Sequence, residues 1–222
     1  MKARIILLGF IAILNSALGQ DSTFHSVFKQ LLSIDELDQR YRNQIDYIET
    51  KYGKTSAEIN TLYKNMNDAD SINLILVEAI IEKYGWLGYN QIGSQANTTL
   101  FMVIQHSDLK TWRKYLPIMQ AAVKNGKAKT TQLVLLQDRL DLHEGRKQNY
   151  GSQIIWSLDR NKYLILPLND PDNVDKRRAE MGLSTLAEYL SHWNIKWDSE
   201  AYKKELPIIM EECKKYFPKE FH

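Results

Sequence analysis

Apolar residues recur at three-and-four spacing along nearly the whole chain, and the period changes to two in one place, between Ile154 and Leu168. A helix needs one apolar stripe every 3.6 residues, whereas a half-buried strand alternates. The expected fold is therefore mainly α, a single-domain bundle-like arrangement of helices with one small β-hairpin at about residues 152–168. In the hairpin, Ile154, Trp156 and Leu158 alternate with Ile155 and Ser157. A polar Asp159–Lys162 turn follows, and Tyr163, Ile165 and Leu168 return.

Capping signals divide the helical part. Ser33-Ile34-Asp35-Glu36 has the spacing of a capping box, so the segment from Ser22 to Gly53 is expected in two pieces, the second carrying Leu37, Tyr41, Ile45 and Ile48. A short helix follows over 57–66. Asp70 and Ser71 then cap a helix apolar on most sides, which should be buried and should close at Tyr84-Gly85. Ser94 opens the next segment, Pro117 imposes a kink or restart on its continuation, and Gly126 ends it. Thr130 or Thr131 starts a helix bearing Leu133, Leu136 and Leu140. Asp170-Pro171, Thr185–Glu188 and Asp198 are the last helix starts.

The first 19 residues are set apart. Lys2 and Arg4 precede an apolar run from Ile5 to Leu14, and Ala17-Leu18-Gly19 places small residues where a signal peptidase reads them. The run is shorter than the roughly 20 apolar residues a membrane span requires. The expectation is a signal peptide over 1–19, an exported (periplasmic or secreted) domain over 20–222, and no stable membrane span after cleavage. Lys and Arg number 29 against 27 Asp and Glu, and the two excess positives are Lys2 and Arg4. The remaining chain is balanced, without the basic excess of a nucleic-acid binder. Cys213 is the only cysteine, so no internal disulfide forms, and a helix residue is expected there rather than a nucleophile.

Polar side chains cluster from Asp138 to Gln153 around Gly145 and Gly151, the way a ligand site is built on glycine turns. His106 is the candidate acid–base, since a neutral imidazole moves protons near neutral pH. Asp108, two residues on, points away from it, so Asp138 is the first choice of orienting carboxylate. Arg139 and the Arg177-Arg178 pair are candidates to hold an anionic group, and Gln105, Asp108, Gln148, Tyr150 and Gln153 to grip a polar ligand. No cofactor is indicated. Neither is a metal, because the histidines lack zinc-type spacing. Trp86, Trp112 and Trp156 are expected in the core.

Lys83-Tyr84-Gly85-Trp86, Val103–Asp108, Asp138-Arg139, Tyr150–Gln153, Asp170–Arg178 and Gly182-Leu183 occur in an order and spacing that resemble a bacterial family, domain of unknown function 6624, from about Asp35 to about Pro207. The resemblance implies no activity. It marks Gln105, His106, Asp108, Asp138, Arg139, Gln148, Tyr150, Gly151, Gln153, Arg177 and Arg178 as signature positions. Trp112 and Leu87 depart from it, standing where the family usually has Gln and often has Pro. Two functions follow as expectations: a hydrolase- or lyase-type enzyme on a small polar or anionic substrate, or a non-catalytic envelope protein that binds a ligand or partner.

Overall fold

A computed structural model describes residues 3–216, with side chains described from 23 to 215. The side chains of the expected signal segment lie outside that range. The chain forms two compact units that meet in sequence between Ser107 and Asp108. Among the described residues no helix is long and apolar enough to cross a membrane.

The first unit contains α1 (Ala3–Arg42), α2 (Ile45–Tyr52), α3 (Ala57–Tyr84) and α4 (Tyr89–Gln105), with α1 packed on both α3 and α4. Two boundaries differ from expectation. Ser33 lies inside α1 and donates its hydroxyl to Lys29 O, so it caps nothing, and the break comes at Asn43-Gln44. Ser56 caps α3 by accepting from Ile59 N, and α3 runs unbroken through Asp70 and Ser71. The polar run Asn67–Ser71 is thus a helix face and not a helix start. Nor is α3 buried all round: Val77, Ile80 and Ile81 are buried while Ile72 and Ile75 are exposed. Gly93, at φ +74°, splits a first turn of α4 from the rod that Ser94 begins.

The second unit contains α5 (Leu109–Lys124), which packs on α6 (Thr130–His143). The strands β1 (Ile154–Ser157) and β2 (Lys162–Ile165) form the expected antiparallel hairpin, with Ile154 opposite Ile165 and Trp156 opposite Tyr163. A 3-10 turn at Pro171–Asn173 leads into α7 (Val174–Glu180), and α8 (Leu186–Ser191) and α9 (Ser199–Tyr216) complete the unit. Thr185 and Glu188 make the expected capping box on α8, and Pro207 lies within α9. Ile165, Leu168, Val174, Leu186, Leu190, Tyr202 and Ile209 form its core. Cys213 is buried beside Leu142 and Leu166, and that burial pushes its thiol up to about 12, which leaves it a packing residue. Trp86 and Trp112 are in the core, but Trp156 is 42% exposed, edge-on to Tyr163 on the outer face of the hairpin.

Gly151 ties the turn before the hairpin to this core. Its φ is +71°, and a Cβ there would lie 2.8 Å from Leu186 Cδ1. Leu186 is fully buried and has little room to yield. Gly151→Ala is expected to lower unfolding free energy by about 2–3 kcal/mol, combining strained φ with overpacking. Urea denaturation measures it, and an unchanged midpoint would contradict the packing described.

Candidate functional site

In the first unit the chemistry gathers around a carboxylate that sequence inspection passes over. Asp38 on α1 is only 1% exposed. Its Oδ1 lies 2.9 Å from His106 Nδ1, and its Oδ2 accepts from Gln39 Nε2 at 2.7 Å. A carboxylate only accepts, so Nδ1 carries a proton, and in the neutral tautomer that this selects Nε2 carries none. The His106 side chain is 18% exposed, and among the described residues Nε2 has no hydrogen-bond partner. His106 closes α4, with Ser107 Oγ donating to Ile104 O. The ring is therefore fixed from the helix end as well as by Asp38.

Arg42, one turn along α1 from Asp38, completes the cluster. Its Nη1 and Nη2 donate to the two oxygens of Asp70 at 2.9 and 2.7 Å, and Nη1 also donates to Asp38 O. Nη1 lies 3.3 Å from Asp38 Oδ1, so one guanidinium serves both acids. Burial alone raises the Asp38 pKa. The hydrogen bond and charge of His106, then Arg42 and Gln39, more than reverse this and leave the carboxyl below the ordinary Asp range.

Asp38, Asp70 and His106 offer ligand atoms within 4.8 Å of one another. These are the described residues that could hold a divalent cation, although no metal was expected from sequence. The donor set suits one in part, since carboxylate and imidazole are ordinary ligands. Arg42 already donates to both oxygens of Asp70, however, so a metal would share that carboxylate with a guanidinium. The carboxylate in contact with His106 is Asp38, which the sequence reading did not name; it named Asp138.

In the second unit Asp138 is fully buried and accepts backbone N–H from Asn149 (2.8 Å), Tyr150 (3.1 Å) and Ser152 (3.0 Å). Burial raises its pKa, and the amides of Ser152, Asn149 and Tyr150 only partly offset that. The turn is wrapped around this carboxylate. Gln148, also fully buried, donates to Gln153 O and Leu166 O and accepts from Gln153 N, while Gln153 donates to Leu135 O. Arg177 donates to Asn149 O, Asn169 O and Asp170 O. Arg178 donates to Ser184 O and Tyr150 O, each at 2.7 Å.

Asp138, Gln148, Tyr150, Gln153, Arg177 and Arg178 are thus brought together, chiefly through bonds to backbone. Other signature residues have their own surroundings. Asp108 caps α5 by accepting from Thr111 N at 2.8 Å. Arg139 lies over the Trp112 ring, 5.7 Å from its centroid, and burial lowers its pKa. Gln105 is buried on α4.

Residues 26–202 match the model of a family described as a family of unknown function, DUF6624. The chain belongs to that family, and the matched span includes Asp38, Arg42, Asp70 and His106 as well as the turn. No curated protein and no solved structure matches the chain significantly.

Two outcomes follow. Asp138→Ala leaves three amides without their acceptor and is expected to cost about 3 kcal/mol or more of unfolding free energy; a variant of wild-type stability in denaturant would refute the assignment. The stabilisation tied to the depressed Asp38 carboxyl is complete above the unfolded Asp value, about 3.9, and is lost as pH falls through the lower folded value. Acid unfolding of Asp38→Asn should show a shallower limb below that pH than wild type does.

Proposed function

We propose that the protein is an exported acid–base catalyst of the hydrolase or lyase type, acting on a small polar or anionic substrate, with His106 transferring the proton and Asp38 positioning it. The observation that carries this reading is the His106–Asp38 contact at 2.9 Å combined with an Nε2 that no described residue occupies. A buried carboxylate on one ring nitrogen fixes the tautomer and orientation of the imidazole, and the other nitrogen is then available as base or acid. The Asp70–Arg42 pair holds Asp38 from behind. The charged, apolar and small-residue order of the first 19 residues supports export.

The alternative, a non-catalytic envelope protein binding a ligand or partner, draws on a different observation. Asp138, Gln148 and Arg177 make bonds to the backbone of the 148–153 turn and the segments beside it, as scaffold residues do.

The chain without its first 19 residues is assayed on chromogenic esters, amides, glycosides and phosphoesters. On any substrate turned over, His106→Gln should lose about 100-fold or more in kcat, and Asp38→Asn at least about tenfold with KM little changed. Diethyl pyrocarbonate should modify His106 at Nε2, more slowly in Asp38→Asn. Full activity in both variants would end the catalytic reading, and a protected His106 would remove the open nitrogen it needs.

A further inference from the structure

A pocket lies wholly within the second unit, lined by α6, α7, the 182–184 segment and α8, and has a volume of about 170 Å³. Val134, Leu135 and Leu183 supply apolar wall, and Arg178 and Tyr189 line it with them. The Arg178 residue is 3% exposed. A guanidinium carries five N–H donors. Two are committed, Nε to Ser184 O and Nη1 to Tyr150 O, and both acceptors are uncharged. The Tyr189 ring covers one face at 5.0 Å. No described carboxylate makes an ion pair with Arg178; Asp175 and Asp138 act on it only through space, and their oxygens accept from Leu186 N and from the turn amides.

A buried charge normally has a counter-ion, because its desolvation costs several kcal/mol. Tyr189 offsets part of that cost, yet the remaining donors have no acceptor in the described chain. The pocket is wide enough for a six-membered ring, since a cavity of roughly 150 Å³ accommodates benzene. Its rim includes exposed Gly182 and Ser184, so the pocket opens to solvent. We propose that this pocket binds a small monocarboxylate with an apolar body, its acid group on Arg178 and its body against Val134, Leu135 and Leu183.

Benzoate, benzyl alcohol, benzylamine and inorganic phosphate are titrated separately into the full domain from Gln20 onward, by calorimetry and by following the ¹⁵Nε signal of Arg178. Benzoate should saturate, shift that signal and bind at least about tenfold tighter than benzyl alcohol, the contribution of a charge-assisted hydrogen bond. Benzylamine and phosphate should not compete. Leu183→Trp, which fills the pocket from a half-exposed position and leaves the guanidinium in place, should abolish binding; Arg178→Gln should weaken it at least tenfold if it folds. Equal affinity for benzoate and benzyl alcohol, phosphate binding in place of benzoate, no saturation at millimolar benzoate, or undiminished binding by Leu183→Trp would each overturn the proposal.

Discussion

Burying a carboxylate is the constraint that orders both units, because an ionised oxygen removed from water must find donors inside the protein. The two units meet it differently. Asp138 receives three backbone amides from one turn, so its ionisation is coupled to the path of the chain. Asp38 receives side chains: His106, Gln39 and Arg42. Backbone donors cannot lose a proton in the working pH range, whereas an imidazole can. The first arrangement fixes the path of a turn, and the second fixes the orientation of an imidazole ring.

This difference sorts the family signature. Gly151 is required by a left-handed backbone and by the contact with Leu186. Gln148 is required because one buried amide joins Gln153 to Leu166. Arg177 spans the 149 and 169–170 segments. Each can be explained by folding alone, without a ligand. Arg178 is the exception in this group, since two neutral carbonyls and a ring hold it but, among the described residues, no carboxylate pairs with its charge.

Features fixed by local sequence were the ones legible before the structure. The hairpin period, the Thr185–Glu188 box and the helix end at Gly85 each depend on neighbours within a few residues, and each appears where its signal lies. Ser33 and Asp70 show how such signals mislead. Both have capping chemistry, but Ser33 back-bonds within α1, and Asp70 serves Arg42, 28 residues away. His106 and Asp38 lie 68 positions apart, and no periodicity in a single sequence joins residues at that distance. The choice of Asp138 as partner followed from its place among the polar signature residues. The spacing of Asp38 and Arg42, four apart on one helix face, was the available hint, but an i,i+4 ion pair on a helix is too common to single out a site.

The same geometry decides how the Asp38–Asp70–His106 group handles positive charge. With His106 neutral, two carboxylates and one guanidinium leave the group one negative charge in excess, and a proton on the imidazole makes it neutral. A divalent cation held by Nδ1 would replace the proton that Nδ1 gives Asp38, and beside Asp70 it would share a carboxylate with the Arg42 guanidinium. The first is the loss of a charge-assisted hydrogen bond, the stronger kind, and the second sets two positive groups on one acid. Arg42 already places between Asp38 and Asp70 positive charge of the kind a bound cation would bring.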